Sequence, residues 1–201
     1  MPVEIERRFL VRDPCAAIGT PAASSFHITQ GYFGQVDGLR VRVRVVAGEN
    51  NDCIAILTFK GARRGYCRLE YEYPLDIGRA WRALHTLPPR EIIQKTRYQI
   101  ASPGDLVWSV DQFEGANQGL FVAEIELSHP NQKFALPPWA GEEITFDPRY
   151  GNSRLARSPM PHPHSWRAGW TSRGLCRERN LCPASPDLLR LEFLMGAASD
   201  L

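Results

Sequence analysis

At 201 residues the chain has room for one domain with its own core, or for one domain and an appendage. Its 24 Lys and Arg against 22 Asp and Glu leave a formal net charge of +2, so no global field draws it to nucleic acid or an anionic membrane, and any work done by charge is local. The start Met1-Pro2-Val3-Glu4-Ile5-Glu6 is acidic where a secretory leader is basic, no apolar run is long enough to span a bilayer as a helix, and five scattered cysteines without a C-x-x-C pair fit reduced thiols; a cytoplasmic location is expected.

Residues 3 to 11 read as a strand, followed by a loop through Asp13-Pro14 and a small-residue stretch to Ser25. Strands follow over 26 to 33 and 38 to 46, the second with Arg40, Arg42 and Arg44 on one face and Leu39, Val41, Val43 and Val45 on the other. The segments 54 to 60 and 68 to 73 form a hairpin around Gly61-Ala62-Arg63-Arg64-Gly65. Over 76 to 87 the spacing of Ile77, Ala80, Trp81, Leu84 and Leu87 predicts an amphipathic helix, stopped by Pro88-Pro89.

Strands resume over 91 to 100, 106 to 113 and 120 to 127, with Ser102-Pro103-Gly104-Asp105 as the turn between the first two. A short helical piece is expected over 131 to 136, a last strand over 142 to 146, and a turn from Asp147-Pro148 that opens a short helix. Beyond Ala156 the character changes: Ser158-Pro159-Met160-Pro161-His162-Pro163-His164 cannot continue regular structure. A domain over 1 to 157 is therefore expected, with a Pro-rich extension over 158 to 201 that is partly disordered and carries one short amphipathic helix over 187 to 195.

Charged residues recur two apart in Glu4-Ile5-Glu6-Arg7-Arg8, Arg42-Val43-Arg44, Glu70-Tyr71-Glu72, Lys95-Thr96-Arg97 and Glu124-Ile125-Glu126. Side chains two apart on a strand share a face, so each tract pairs charges on one surface and sets mostly apolar residues on the other. In an ordinary antiparallel sheet that surface is simply the wet one. Here acids and bases segregate by strand, and the charges fill consecutive same-face positions in at least five strands, where a solvated face mixes in Ser, Thr, Asn and Gln.

A sheet closed with this face inward makes a lumen of charge, tolerable only if the ions pair, stay wet, or hold a ligand and metals. A polyanion with divalent cations answers both halves of the set. Carboxylates supply the hard oxygen ligands that Mg²⁺ or Mn²⁺ prefer, and Arg and Lys donate to phosphate oxygens. A membrane barrel also has a polar lumen, but the amphipathic helix over 76 to 87 suits a barrel whose outside is covered in water.

The residues resemble a known family. Glu4-x-Glu6-x-Arg8, Gln30-Gly31-Tyr32, Val41-Arg42-Val43-Arg44, Leu57-Thr58-Phe59-Lys60 and Arg68-Leu69-Glu70-Tyr71-Glu72 are similar, in order, to motifs of the CYTH or triphosphate tunnel metalloenzyme superfamily. The likeness continues through Lys95-Thr96-Arg97-Tyr98, Val110-Asp111-Gln112-Phe113-Glu114-Gly115, Ala123-Glu124-Ile125-Glu126 and the stretch from Gly141 to Tyr150, so it covers about residues 1 to 157. It implies a mainly β (α+β) fold: a closed eight-stranded antiparallel barrel that forms a charged tunnel, with a few covering helices. It also implies two-metal hydrolysis or cyclisation of triphosphate compounds, and the short bacterial members that look most similar point to an inorganic triphosphatase acting on tripolyphosphate. Class IV adenylate cyclase, thiamine or nucleoside triphosphatase, and a non-catalytic polyphosphate-binding module are the alternatives.

Carried over by position, the resemblance implies that Glu4, Glu6, Asp111, Glu124 and Glu126 ligate Mg²⁺ or Mn²⁺, with Glu70 and Glu72 as further ligands or water positioners. Arg42, Arg44, Lys60, Arg68, Lys95, Arg97 and Arg149 become phosphate clamps; Arg40 shares their face, and the register of the Arg40-Arg42-Arg44 run is ambiguous by two. Tyr32 and Arg8 are the implied catalytic pair for the proton of the attacking water. The family signature has Lys at position 8, and arginine cannot shuttle a proton, so Arg8 is expected to favour the Tyr32 phenolate by its charge. Ser109 stands where many relatives carry another acid, which removes one potential ligand.

Other features read blandly. His162, His164, Cys176 and Cys182 match no zinc-finger spacing, and Trp81, Trp108, Trp139, Trp166 and Trp170 read as packing rather than nucleobase stacking. The Gly61-Ala62-Arg63-Arg64-Gly65 loop is a solvated hairpin tip, a gate at the tunnel mouth or a contact for the anionic tail of a larger substrate. The expected partner is tripolyphosphate or another triphosphate-bearing small molecule, with no membrane or nucleic acid and with a homodimer left open. The full set of glutamates favours an enzyme over an anion-binding module, which needs few acids, and no residues mark a nucleoside pocket.

Overall fold

Alternating charged and apolar residues build the strands of the computed structural model, which describes residues 3–19, 24–48 and 52–160. In chain order these are β1 Val3–Val11, α1 Pro14–Ile18, β2 Ser24–Val36, β3 Leu39–Ala47, β4 Cys53–Lys60 and β5 Cys67–Leu75. There follow α2 Ile77–His85, β6 Ile92–Ser102, β7 Leu106–Phe113, β8 Phe121–Glu126, β9 Ala140–Glu143 and α3 Asn152–Arg157. The strands run β5-β4-β3-β2-β6-β7-β8-β1, all antiparallel, and β1 closes the ring by pairing Val3 with Leu69, Glu4 with Arg68 and Ile5 with Cys67 of β5. The expected eight-stranded barrel is formed.

β1 serves three neighbours because its two edges are used in segments. Glu6 to Leu10 pair with β8, Val3 to Ile5 with β5, and Phe9 and Val11 with β9, a short ninth strand outside the ring. β2 reaches 13 residues by carrying a bulge between Tyr32 and Gln35, where Gly34 takes φ 84, and the extra residue bends the strand around the barrel.

Period-2 alternation puts charges inside, so the apolar residues face outward and need cover. Three packed patches supply it. Phe9, Trp108, Phe134 and Trp139 form an edge-to-face cluster with centroids 5.4–6.2 Å apart over β1, β7 and β8. Ala80 and Leu84 of α2 pack on Val43, Val45 and Ala55, and Leu155 of α3 packs with Ile93, Phe113 and Ile144. Trp108 and Trp139 are thus core residues and Trp81 packs against the α2 patch, as expected; Trp166 and Trp170 lie outside the described residues.

Several local expectations are corrected. The loop after Asp13 contains α1, with Asp13 accepting from the Ala16 N–H at 3.0 Å and Pro14 in the first turn. No helix forms over 131 to 136; that segment runs irregularly so that Phe134 can reach Phe9 and Trp108. The strand expected over 142 to 146 is β9, which ends three residues earlier, because past Glu143 the Thr145 hydroxyl replaces a backbone partner and accepts from the Arg8 N–H at 3.0 Å. The described residues fall within a compact unit, Met1–His162. Apart from 158 to 160, the expected extension, its helix and the His162, His164, Cys176 and Cys182 group lie outside the described residues. No helix among the described residues is long and apolar enough to cross a membrane.

Gly31 shows how tightly α2 seats. A Cβ there would stand 2.4 Å from Leu87 Cδ1 and 2.7 Å from Leu84 Cδ2, so any side chain forces both leucines to repack or the helix to shift. Gly31→Val is expected to cost about 1–3 kcal/mol in thermal or urea unfolding, and an unchanged midpoint would show that the helix yields freely.

Candidate active site

The closed barrel encloses a cavity of about 1050 Å³ with Glu4, Glu6, Arg42, Arg44, Lys60 and Arg68 among its walls. A smaller one, of about 470 Å³, adds Gln99, Asp105 and Ser109. Glu4, Glu6, Arg97, Glu124 and Glu126 line both, and so form the waist between them.

Most charges at the waist are paired. The Lys60 ammonium lies 3.0 Å from Glu4 and 2.7 Å from Glu70, and Arg68 reaches Glu4 at 2.9 Å. Arg42, buried, donates to Thr58 Oγ1 at 2.9 Å and Glu72 at 3.1 Å, with Glu70 at 3.3 Å. Arg97 joins Asp111 at 2.7 Å to Glu124 at 2.6 Å. Burial alone would raise the Glu4 carboxyl, but Lys60, a hydrogen bond to Glu70 and Arg68 together hold it far below the usual range. Burial and that same hydrogen bond push Glu70 up to about 7, as expected when two carboxyls share a proton.

One carboxylate group remains crowded. Glu6 stands directly opposite Glu126 in the β1–β8 register, and burial, Glu124 and Glu4 raise its pKa. Burial and Glu4 raise Glu126 as well. Hard oxygen donors that repel one another around a cavity are the chemistry a divalent cation satisfies, so Glu4, Glu6, Glu124 and Glu126 fit the expected metal. As the side chains stand, no three Asp, Glu, His or Cys groups among the described residues converge to hold one, because the glutamates are turned to Arg and Lys.

Among the cations Arg44 is different. Its hydrogen bond goes to Gln30 Oε1 at 3.1 Å rather than to a carboxylate, and burial with Arg42 and Arg97 nearby pushes it down to about 9. The register question resolves here: Arg40, Arg42 and Arg44 all line the cavity, with Arg40 exposed and Arg42 buried.

Five sequence-derived positions differ from expectation. Lys95 and Asp111 are 0% exposed, form an ion pair with each other and line neither cavity. Burial pushes Lys95 down to about 8, and both Asp111 oxygens are engaged by Lys95 and Arg97. Arg149 is 68% exposed, held by Asp147, and lines neither cavity. The Arg8–Tyr32 pair is not formed: Arg8 donates to the carbonyls of Thr145 at 3.1 Å and Tyr150 at 3.2 Å, while Tyr32 accepts from Gln30 Nε2 at 2.8 Å. Burial pushes Tyr32 up to about 12 despite Arg42 and Arg44, so at neutral pH it is a phenol, not the phenolate expected beside Arg8.

Some contributors escaped the sequence. Gln30 and Thr58 sit at inward period-2 positions beside Tyr32 and Lys60, so the alternation could have found them. Arg63, Phe146 and Arg154 line the cavity from a loop, an irregular segment and α3, where no periodicity points inward.

Comparison with known proteins agrees with this architecture. The chain is 40% identical over 156 residues to the inorganic triphosphatase of Acetivibrio thermocellus, covering 78% of this chain and 94% of that one. It is 32% identical over 158 residues to the inorganic triphosphatase of Nitrosomonas europaea, covering 77% and 97%. A crystal structure of an inorganic triphosphatase superposes with a TM-score of 0.56 at 30% identity, over 80% of this chain and 98% of that one. The CYTH domain model matches residues 2–157, the span from the first barrel strand through α3, and the chain therefore belongs to the CYTH domain family.

Proposed function

We propose that this protein is a metal-dependent hydrolase of triphosphate compounds and that its substrate is inorganic tripolyphosphate. The observation that carries the reading is Arg44, a half-buried guanidinium without a carboxylate among its hydrogen bonds, which lines a cavity of about 1050 Å³. A guanidinium so placed lacks a counter-ion of its own, and a compact, highly charged anion supplies one. The likeness to two proteins named inorganic triphosphatase supports the choice of substrate.

In this reading Arg40, Arg42, Arg44, Lys60, Arg68 and Arg97 hold the phosphates in line and stabilise charge on the departing pyrophosphate. Glu4, Glu6, Glu124 and Glu126 hold Mg²⁺ or Mn²⁺ at two sites, with Glu70 and Glu72 beside them. When bound, the metal neutralises phosphate charge and lowers the pKa of the attacking water. Tyr32 acts as a phenol that donates to a phosphate oxygen rather than as a base. Asp111 and Lys95 act from behind by fixing Arg97. Cys15, Cys53 and Cys67 are free, in keeping with a reducing cytoplasm.

The test is to incubate purified protein with tripolyphosphate, ATP or thiamine triphosphate, with and without Mg²⁺ or Mn²⁺, and to measure phosphate, pyrophosphate and cyclic AMP. Metal-dependent release of phosphate and pyrophosphate from tripolyphosphate is expected. Cyclic AMP as the main product from ATP would make it a cyclase; metal-dependent binding without turnover would make it a binding module.

A further inference from the structure

Three guanidinium groups surround the Glu6 carboxylate, and they are not equivalent. Arg68 Nη2 lies 3.4 Å away and Arg8 Nε 3.9 Å, while Arg63 makes the closest ion pair. Arg68 is anchored on Glu4 at 2.9 Å, and Arg8 on the carbonyls of Thr145 and Tyr150. Arg63 has no such anchor: its Nη1 is buried without a hydrogen-bond partner, although it lines the large cavity.

Arg63 also comes from the connection between β4 and β5, not from a strand. That backbone is pinned. Gly61 N–H donates to Leu69 O at 2.9 Å, and Arg64 and Cys67 exchange hydrogen bonds at 2.8 and 3.1 Å. Between these ties Ala62 and Arg64 are exposed and Arg63 is partly buried, so it is the residue of this loop turned to the lumen. Its guanidinium can therefore change partner by side-chain rotation alone.

We propose that Arg63 is an exchangeable counter-ion that serves Glu6 and the triphosphate in turn, an inference that rests on the function proposed above. Without a divalent cation it neutralises Glu6. A cation among Glu4, Glu6, Glu124 and Glu126 repels the guanidinium, which turns to the terminal phosphate and becomes a further substrate-binding group at the mouth. Metal and anion are then linked: each displaces or recruits Arg63 in favour of the other, so each raises the other's affinity.

The test titrates Mn²⁺ into substrate-free protein, followed by electron paramagnetic resonance, and separately measures kcat and KM for tripolyphosphate. In Arg63→Ala, Mn²⁺ is expected to bind about three- to tenfold more tightly because its competitor is gone. KM for tripolyphosphate is expected to rise about tenfold with kcat changing less, as for loss of one charge-assisted hydrogen bond. Arg63→Lys keeps the charge and is expected to stay near the parent in Mn²⁺ affinity, and Arg64→Ala, on the exposed side of the loop, near the parent in both readouts. An active parent whose Arg63→Ala variant binds Mn²⁺ no more tightly, or keeps the parent KM, overturns the proposal alone. A parent that neither binds Mn²⁺ nor turns over tripolyphosphate overturns the functional reading and this inference with it.

Discussion

Asp111→Ala is expected to destabilise the fold by about 3–5 kcal/mol, the cost of stranding a buried charge. Lys95 and Asp111 are both 0% exposed and paired, and Arg97 takes both Asp111 oxygens at 2.7 Å, so removing the carboxylate leaves Lys95 unpaired inside the barrel wall and Arg97 with Glu124 alone. Replacing both ends with apolar residues, Lys95→Met with Asp111→Leu, is expected to recover much of that loss, because neither end then remains charged and unpaired. Denaturant unfolding of the three proteins measures it, and a single variant within about 1 kcal/mol of the parent would remove the pair from the structural account.

The same residue separates two roles. If Asp111 were a metal ligand, as its place in the motif implies, Asp111→Asn would weaken Mn²⁺ binding at least tenfold in folded protein; a positioning residue for Arg97 leaves Mn²⁺ affinity near the parent and raises KM for tripolyphosphate. Burial would raise the Asp111 carboxyl, but Arg97 and Lys95 hold it far below its ordinary value. A depressed folded pKa means its contribution is intact above the unfolded value of about 4 and is lost only as pH falls through the folded one, so the pair survives mild acid.

Glu6→Gln is expected to lower tripolyphosphate turnover about a hundred- to a thousandfold and to weaken Mn²⁺ binding, with thermal stability equal to or above the parent. The stability clause separates this from simple damage. Glu6 faces Glu126 in register and burial, Glu124 and Glu4 raise its pKa, so in metal-free protein an uncharged isostere gives up the ion pair to Arg63 but sheds that repulsion and the cost of burying the charge. Full activity in that variant would refute the placement of the metal at the waist; activity lost together with the fold would make Glu6 a structural residue instead.

The alternation in β1, β3, β5, β6 and β8 showed in the sequence which residues share a face, because period 2 is a local property of extended backbone. It also showed α2 through its apolar spacing. It did not show α1, although Asp13-Pro14 is a cap and first-turn pair, since five residues offer no periodicity to support it. The sequence offered the Gly61 to Gly65 loop as a gate at the tunnel mouth but not Arg63 as its inward residue, since a loop residue's direction depends on where its loop is tied, here by Gly61 to Leu69 and by Arg64 to Cys67.

What the sequence determined by itself is the set of charges placed inward and the likeness of about 1 to 157 to a barrel family. Only the tertiary structure decided how that set is divided. Closure through β1 and β5 brings Glu4 against Lys60 and Arg68, seals Lys95 and Asp111 in the wall, leaves Arg44 without a carboxylate, and turns Arg8 to the carbonyls of Thr145 and Tyr150. The reason is physical. Which face a side chain takes follows from its own strand, whereas which ion meets which, and how dry each becomes, follows from register between strands distant in the chain.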